Sequence, residues 1–490
     1  MSIFLVVNVL DVFYHTRNAE TVKANDDVSG DSVLRSTGQE GKYEVKLADG
    51  VKDIVVTVAQ EGYCTITQKL QLTTSPIPAL AYTGDQELWV RNLGGSGRGS
   101  SGQDADPTVP GQVTSDFNVE LCVVLGQLTD VKAQVNGVAS GANPVINLTA
   151  TNVNVMAFEA SVLDPTGTGW NRFKHTVVNV APPKGTVLYA KRIGSPSLIA
   201  LFVPEGQVVQ PSVDRWDASA RPLNFHLFFC PSTDNAANRS TSYPFDSYYI
   251  GLISRYFFVF RYLGKNMVNQ QAQSGATPIL IFPVPNRTDW HEPISSQGSI
   301  LELLFEVRYF VSRKLGVPYP NQPVGKCALS GFSTSGQYVN KALVRTSDYF
   351  HYMVLQEVYG FDLGGVSAGT FAHNLKAWYN QTTDKAFRIY TAKESWWESL
   401  KSIDPAASTN SGQNGAMESQ SSRASVVLVP YFYFWVKLNS ETNQPAEMED
   451  TQPPTYQVFR KGNQDDVHQL FPSIFIEHAL SLSHFPTKVS

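Results

Sequence analysis

Short apolar runs alternate with amphipathic helical stretches from about residue 185 to the end of the chain. The runs are near-continuously apolar, which is typical of strands buried on both faces of a parallel sheet. Eight runs fit this description: 186–190, 198–203, 225–230, 278–282, 326–330, 352–358, 387–391 and 425–429. The stretches predicted to be helical are 246–272, 297–314, 334–346, 370–379, 394–402 and 469–483. The alternation predicts an α/β unit over residues 181–490, with a mostly parallel eight-stranded sheet that is covered by helices on both faces.

The first 180 residues follow a different pattern. Runs such as Tyr43–Leu47 and Ile54–Val58 alternate apolar and polar residues, which predicts strands with one buried face. Residues 1–75 are predicted to form a small β-sandwich, and residues 76–180 a second β-rich unit or an extension of the first. The Gly/Ser-rich segment 92–113 lacks the Lys-Ser/Thr step of a phosphate-binding loop, so we predict a flexible loop there. The predicted protein is therefore multidomain, with an all-β region before the α/β domain.

Composition narrows the class of ligand. The chain has 38 Lys and Arg against 43 Asp and Glu, a formal net charge of −5, so we expect no nucleic-acid partner, because nucleic-acid binding requires a basic surface. The four cysteines are scattered without a CxxC pair, and we find no metal-ligand or dinucleotide motif, so no cofactor is predicted.

Apolar segments are too short or too charged to cross a membrane, since about 20 apolar residues are needed. The longest, Ile300–Leu315, carries several charged residues, among them Glu302, Glu306, Arg308 and Arg313. The N-terminal apolar run lacks the basic region and the cleavage site of a signal peptide. We therefore predict a cytoplasmic protein without a transmembrane segment, although export without a cleaved signal would leave the same sequence.

The segment Gly331-Phe-Ser-Thr-Ser-Gly336 lies between the fifth strand and a predicted helix. Gly-x-Ser-x-Ser-Gly in this context has the form of a nucleophile elbow, a strand-to-helix turn that holds a serine in a strained backbone conformation. Residues two before and two after that serine must be small, and Gly331 and Ser335 are small. The pattern predicts that Ser333 projects above the carboxyl edge of the sheet, where the helix N-terminus favours an oxyanion. The alternative is that Ser333 only caps the helix.

A nucleophile elbow after the fifth of eight strands resembles the α/β-hydrolase superfamily, and the resemblance covers roughly residues 185–490. Ser335 stands where that family more often has Gly. The resemblance implies an oxyanion hole made by the backbone N–H of Thr334 and one from Ser232 or Thr233, in the loop after the third strand. The alternative for that loop, which lacks the usual His-Gly or Gly-Gly, is an ordinary polar connection.

A serine hydroxyl needs a general base, normally a histidine. The resemblance implies a catalytic histidine between the last strand and the last helix, which is the place of His468. We expect the other downstream histidines to be structural or to lie in the tail: His351, His373, His478 and His484.

The acid that orients the imidazole has three candidates, Glu357, Glu394 and Asp362. Glu357 ends an otherwise apolar strand, where an unpaired charge is costly. Glu394 follows the seventh strand, the more usual position in the family, and Asp362 lies in the loop after the sixth. For each of them the alternative is a surface carboxylate or a local salt bridge.

These residues predict a serine hydrolase, carboxylesterase- or lipase-like, that cleaves an ester or amide bond of a small-molecule or lipid-like substrate through an acyl-enzyme. The alternative is an inactive hydrolase-fold scaffold that binds a protein or glycan partner through its N-terminal β domains. The run from Gly41 to Tyr63 resembles carboxypeptidase regulatory-like (transthyretin-like) domains over about 30 residues, which implies a structural or docking role for that unit.

Overall fold

The structure is a computed structural model. It describes residues 2–73, 79–82, 90–98, 104–105, 116–131, 134–135, 138–139, 157–160, 185–193, 198–205, 222–231, 278–284, 297–315, 322–345, 348–358, 361, 370–391, 399–411, 417–428, 432–437, 456–459, 472, 476 and 479–480.

The N-terminal strands form two sheets. They are β1 (Ser2–Leu10), β2 (Thr21–Asp26), β3 (Gly30–Val33), β4 (Arg35–Ser36), β5 (Lys42–Lys46), β6 (Asp53–Ala59), β7 (Ile66–Thr73), β8 (Ala79–Tyr82), β9 (Val90–Arg98), β10 (Asp104–Ala105) and β11 (Asp116–Val124). One sheet has the order β10-β9-β11-β1-β5-β4 and the other β3-β2-β6-β7-β8. The alternating buried residues of strands such as β6 and β7 pack against those of β1 and β11 in one apolar core. This packing forms a sandwich because each sheet buries one face against the other.

Both of these sheets cross the predicted boundary near residue 75, since one contains β8 and the other contains β9, β10 and β11. Strand β1 pairs in parallel with β11, from Ser2 opposite Asp116 to Leu10 opposite Val124. For residues 116–124 the pairing favours an extension of the first β unit over a separate second unit. The division at residue 75, and the resemblance to regulatory-like domains, stay predictions.

The loop prediction for 92–113 is wrong over its first residues. Residues 92–98 belong to β9, which is antiparallel to β11. Glycine is a poor strand residue, but the ladder uses main-chain N–H and C=O groups, which glycine supplies like any other residue.

The remaining strands are β12 (Leu128–Asp130), β13 (Gln134–Val135), β14 (Val138–Ala139), β15 (Ala157–Ala160), β16 (Gly185–Arg192), β17 (Leu198–Pro204), β18 (Leu223–Phe229), β19 (Ile279–Val284), β20 (Val324–Phe332), β21 (Phe350–Gln356), β22 (Ala386–Thr391), β23 (Ser408–Ser411), β24 (Met417–Gln420), β25 (Ala424–Leu428), β26 (Phe432–Lys437) and β27 (Tyr456–Phe459). Strands β13 and β14 pair with each other, and β15, β26 and β27 form a three-stranded sheet.

The large sheet has the order β12-β16-β17-β19-β18-β20-β21-β22-β25-β24-β23. Strands β19, β18, β20, β21, β22 and β25 run parallel, and β17 is antiparallel to its neighbours. The predicted mostly parallel sheet is confirmed, and all eight predicted strands lie in it. It has eleven strands because β12, β23 and β24 extend its edges. The architecture is consistent with an α/β-hydrolase fold that follows a β region.

Three described helices connect parallel strands: α1 (Gln297–Lys314), α2 (Gly336–Arg345) and α3 (Phe371–Tyr379). All three match predicted helices, and they pack on one face of the sheet in a single core. Of the predicted 394–402 helix, Ser399–Ser402 is a 3₁₀ turn, and the 246–272 helix lies outside the described residues. No described helix is long and apolar enough to span a membrane.

The opposite face of the sheet is also buried where it is described. The Tyr352 hydroxyl donates to the Ala479 carbonyl at 2.5 Å, and both Ile476 and Ala479 are fully buried. Ala479 therefore packs on the face away from α1, α2 and α3.

Candidate functional site

The turn between β20 and α2 has the strained geometry that the motif predicts. Strand β20 ends at Phe332, a 3₁₀ turn covers Ser333–Ser335, and α2 begins at Gly336. Ser333 has φ of +55°, so its backbone is in the left-handed region that residues other than glycine rarely occupy. Such a conformation costs about 1–2 kcal/mol. A simple helix cap has an extended backbone instead, so the geometry favours the elbow over the cap.

Gly331 is required by close packing under the turn. A Cβ atom at Gly331 would lie 2.4 Å from Val339 Cγ2 and 2.9 Å from Ser335 Oγ. The strand and the helix therefore approach each other where only hydrogen fits.

Gly331→Ala is expected to destabilise the protein by about 1–3 kcal/mol, since an added methyl group in a packed core forces neighbours to shift. The same shift displaces the turn that carries Ser333. Urea unfolding measures the loss, and the double variant Gly331→Ala/Val339→Ala is the control, because shortening Val339 makes room for the new methyl group. Equal destabilisation by Gly331→Ala in both backgrounds would contradict the packing explanation.

Ser335 closes the turn with its own hydroxyl. Its Oγ accepts from the Phe332 N–H at 2.8 Å and donates to the Phe332 carbonyl at 2.8 Å. Ser335 is buried, and these two bonds satisfy its hydroxyl. A serine at this position is thus compatible with the elbow.

Glu357 is the first residue after β21, the strand next to β20. It too has a left-handed backbone, with φ of +46°, and its N–H donates to the Tyr390 carbonyl at 3.0 Å. Gln356 lies opposite Phe332 in the parallel register. Ser333 and Glu357 therefore follow paired residues of adjacent strands, which lie about 5 Å apart. The structure brings these two predicted site residues to the same edge of the sheet.

Thr334 lies in the same turn, ahead of α2, where the first N–H groups of a helix have no intrahelical acceptor. The other predicted site residues lie outside the described residues: His468, Ser232, Thr233, Glu394 and Asp362. Their roles stay predictions.

Of the histidines that follow Ser333 in the chain, the structure describes His351 and His373, and neither lies in the elbow. His351 opens β21, at the opposite end from Glu357, with its Nε2 3.7 Å from an Asp384 carboxylate oxygen. Burial lowers the pKa of His351. His373 is exposed on α3, with its N–H capped by the Thr370 hydroxyl. Both positions fit structural roles.

One buried pair was not predicted. His226 Nε2 lies 2.6 Å from Ser330 Oγ, and both residues are fully buried between β18 and β20. The only signal in the sequence is a histidine inside an apolar run. None of the four cysteines, all of them described and buried, forms a disulfide, and the described residues contain no group of side chains that would hold a metal ion.

Comparison with known proteins finds no matching family model and no matching curated protein. Similar solved structures include an acetyl xylan esterase from Aspergillus awamori, which is 10% identical, covers 50% of this chain and 92% of its own, and has a TM-score of 0.31. A siderophore hydrolase from Aspergillus nidulans is 13% identical, covers 47% of this chain and 81% of its own, and has a TM-score of 0.22. Dipeptidyl peptidase 4 from Porphyromonas gingivalis is 8% identical, covers 81% of this chain and 68% of its own, and has a TM-score of 0.23. Likenesses this distant identify neither a reaction nor a substrate for this chain.

Proposed function

We propose that the protein is a serine hydrolase that cleaves an ester or amide bond, with Ser333 as its nucleophile. The observation that carries the proposal is the left-handed backbone of Ser333 at a tight strand-to-helix turn. Strain of this kind persists only when the surrounding structure imposes it, and it is concentrated at active sites. The close packing at Gly331 and the paired hydrogen bonds of Ser335 impose it here.

In the proposed reaction the Ser333 hydroxyl attacks the substrate carbonyl while His468 takes its proton. The carbonyl carbon becomes tetrahedral, and its oxyanion accepts hydrogen bonds from the Thr334 N–H and a second N–H from Ser232 or Thr233. His468 then protonates the leaving group, which leaves an acyl-enzyme that water hydrolyses. Loss of one oxyanion donor typically raises the barrier by about 3 kcal/mol.

For the acid we favour Glu357, and the pairing of Phe332 with Gln356 supports this choice, because Ser333 and Glu357 are the residues that follow them. Like Ser333, Glu357 has a strained, left-handed backbone, which costs free energy. Glu394 and Asp362 remain the alternatives. A carboxylate that orients His468 would stabilise the imidazolium formed during attack, without itself being protonated.

Labelling with a fluorophosphonate probe tests the proposal. After digestion of the labelled protein, mass spectrometry is expected to find the adduct on Ser333. The buried Ser330, three residues earlier, is an internal control that stays unmodified. An unlabelled protein, or an adduct on another residue, would overturn the assignment and favour the inactive scaffold that binds a partner through its β domain.

The substrate proposed for this site is a small-molecule or lipid-like ester. A series of p-nitrophenyl esters of increasing acyl length measures this directly, because a deep apolar acyl pocket lowers KM as the chain lengthens.

A further inference from the structure

The side chain of Gln356, the last residue of β21, is fully buried. Neither its Nε2 nor its Oε1 has a hydrogen-bond partner among the described residues. A carboxamide offers two donors and an acceptor oxygen. Buried polar groups are nearly always paired, with protein or with ordered water, because leaving them unpaired costs free energy. Gln356 is therefore a buried polar group that lowers the stability of the fold unless it finds a partner.

Gln356 immediately precedes Glu357, one of the residues of the proposed site. Gln356 pairs with Phe332 on one side and with Tyr390 on the other. The neighbouring Leu355 belongs to the core beneath α1–α3, so Gln356, which alternates with it, faces the other side of the sheet. The next residues along the two strands are Ser333 and Glu357, and both have left-handed backbones. Gln356 is thus adjacent to both strained residues without being exposed to a substrate.

We propose that the Gln356 carboxamide binds an ordered water molecule beneath the strand end and through it fixes the direction of the Glu357 carboxylate. A buried water makes about three hydrogen bonds, so it pairs the amide and has a bond left for a carboxylate oxygen. Gln356 is then a positioning residue that acts through Glu357. The inference rests on the proposed function, since it assigns Glu357 as the acid of that site.

Gln356→Met tests the proposal, because methionine has a similar size and removes the polar atoms. We expect kcat for a p-nitrophenyl ester to fall about 10- to 100-fold with KM little changed, as expected for a misplaced catalytic group. We also expect the melting temperature not to fall, because the variant removes a polar group that has no protein partner. Gln68→Met is the matched control: Gln68 is also buried on a strand with an unpaired Oε1, but lies in the N-terminal sandwich. That control should leave kcat unchanged.

Two further measurements separate positioning from packing. In the Glu357→Gln background, Gln356→Met should have no further effect on kcat, since the residue through which it acts is already lost. Gln356→Glu should move the acidic limb of the kcat/KM profile to higher pH, because an added negative charge near Glu357 favours the protonated form of the general base His468.

The outcomes are distinct. If the wild-type chain turns over no ester and takes no fluorophosphonate, the proposed function fails and this inference fails with it. If the wild type is active but Gln356→Met keeps its kcat, the inference alone fails. A kcat loss that comes with a lowered melting temperature, or that persists in the Glu357→Gln background, also overturns it, because Gln356 would then be a packing residue.

Discussion

Replacing Ser333 with glycine is expected to abolish ester turnover and at the same time to leave a more stable protein than replacing it with alanine. Both variants lack the hydroxyl, so turnover should fall by about 10⁴- to 10⁶-fold. They differ in backbone strain: alanine retains the cost of a φ near +55°, whereas glycine adopts this region freely. The free energy of unfolding of the Ser333→Gly variant should therefore be about 1 kcal/mol higher than that of the Ser333→Ala variant. Urea denaturation at one pH measures the difference.

Ser312 provides the matched control. It is buried inside α1, a right-handed helix, and its hydroxyl has no partner among the described residues. There the order should reverse, with glycine about 1 kcal/mol less stable than alanine. If glycine were also the less stable residue at position 333, the backbone of Ser333 would not be strained. The structural argument for the elbow would then be lost, even if the variants were inactive.

The elbow and the strands around it were predictable from sequence because their causes are local. A tight turn demands small residues at fixed offsets, and Gly331 and Ser335 satisfy that demand within five residues. Buried parallel strands are near-continuously apolar, so β18 through β22 stand out in the sequence. The position of Glu357 was not predictable in this way. No neighbouring residue type indicates its left-handed backbone or its register against β20.

Pairing between distant segments was not predictable either. Strand β1 bonds to β11 across more than a hundred residues of sequence, and the apolar pattern of each strand fits many partners. Strand β9 was missed because its glycines pair through main-chain atoms only. In the sequence, the charges of Glu306 and Arg308 indicate only that α1 does not span a membrane. In the structure, both side chains lie at the junction between the N-terminal sheets and the large sheet.

That junction is short and buried. Strand β11 of the sandwich ends at Val124 and β12 of the large sheet begins at Leu128, so residues 125–127 alone connect them. The Gln127 N–H donates to Glu306 Oε2 at 2.8 Å, and Arg308 donates from Nη2 to the Val12 carbonyl at 2.7 Å. Helix α1 therefore holds the connection from the large-sheet side.

Burial raises the pKa of Glu306 to about 8, from an ordinary value of 4.5, against the opposing effects of the Gln127 N–H and of Arg192. The charged and titratable groups around this carboxyl are Arg192, Glu302, Arg313, Tyr63, Cys64 and Tyr309. The folded state binds the Glu306 proton more tightly than the unfolded state does, so the protonated carboxyl stabilises the fold. This stabilisation is complete below about pH 4.5 and is lost as the pH rises to about 8.

Glu306→Gln should remove this loss. Glutamine keeps an oxygen that accepts from Gln127 and does not titrate, so the variant should match the wild type at pH 4 and be the more stable protein at pH 8. The expected gain is a few kcal/mol, because each unit between the folded and the unfolded pKa corresponds to about 1.4 kcal/mol. Urea unfolding at both pH values measures it, with Glu40→Gln, an exposed carboxylate in the sandwich, as the charge-matched control that should show no such change. If Glu306→Gln were instead the less stable protein at pH 8, the carboxylate would be ionised in the folded state and paired with Arg192 or Arg313. The junction would then be held by charge rather than by a neutral carboxyl, and its stability would increase with pH over the same interval.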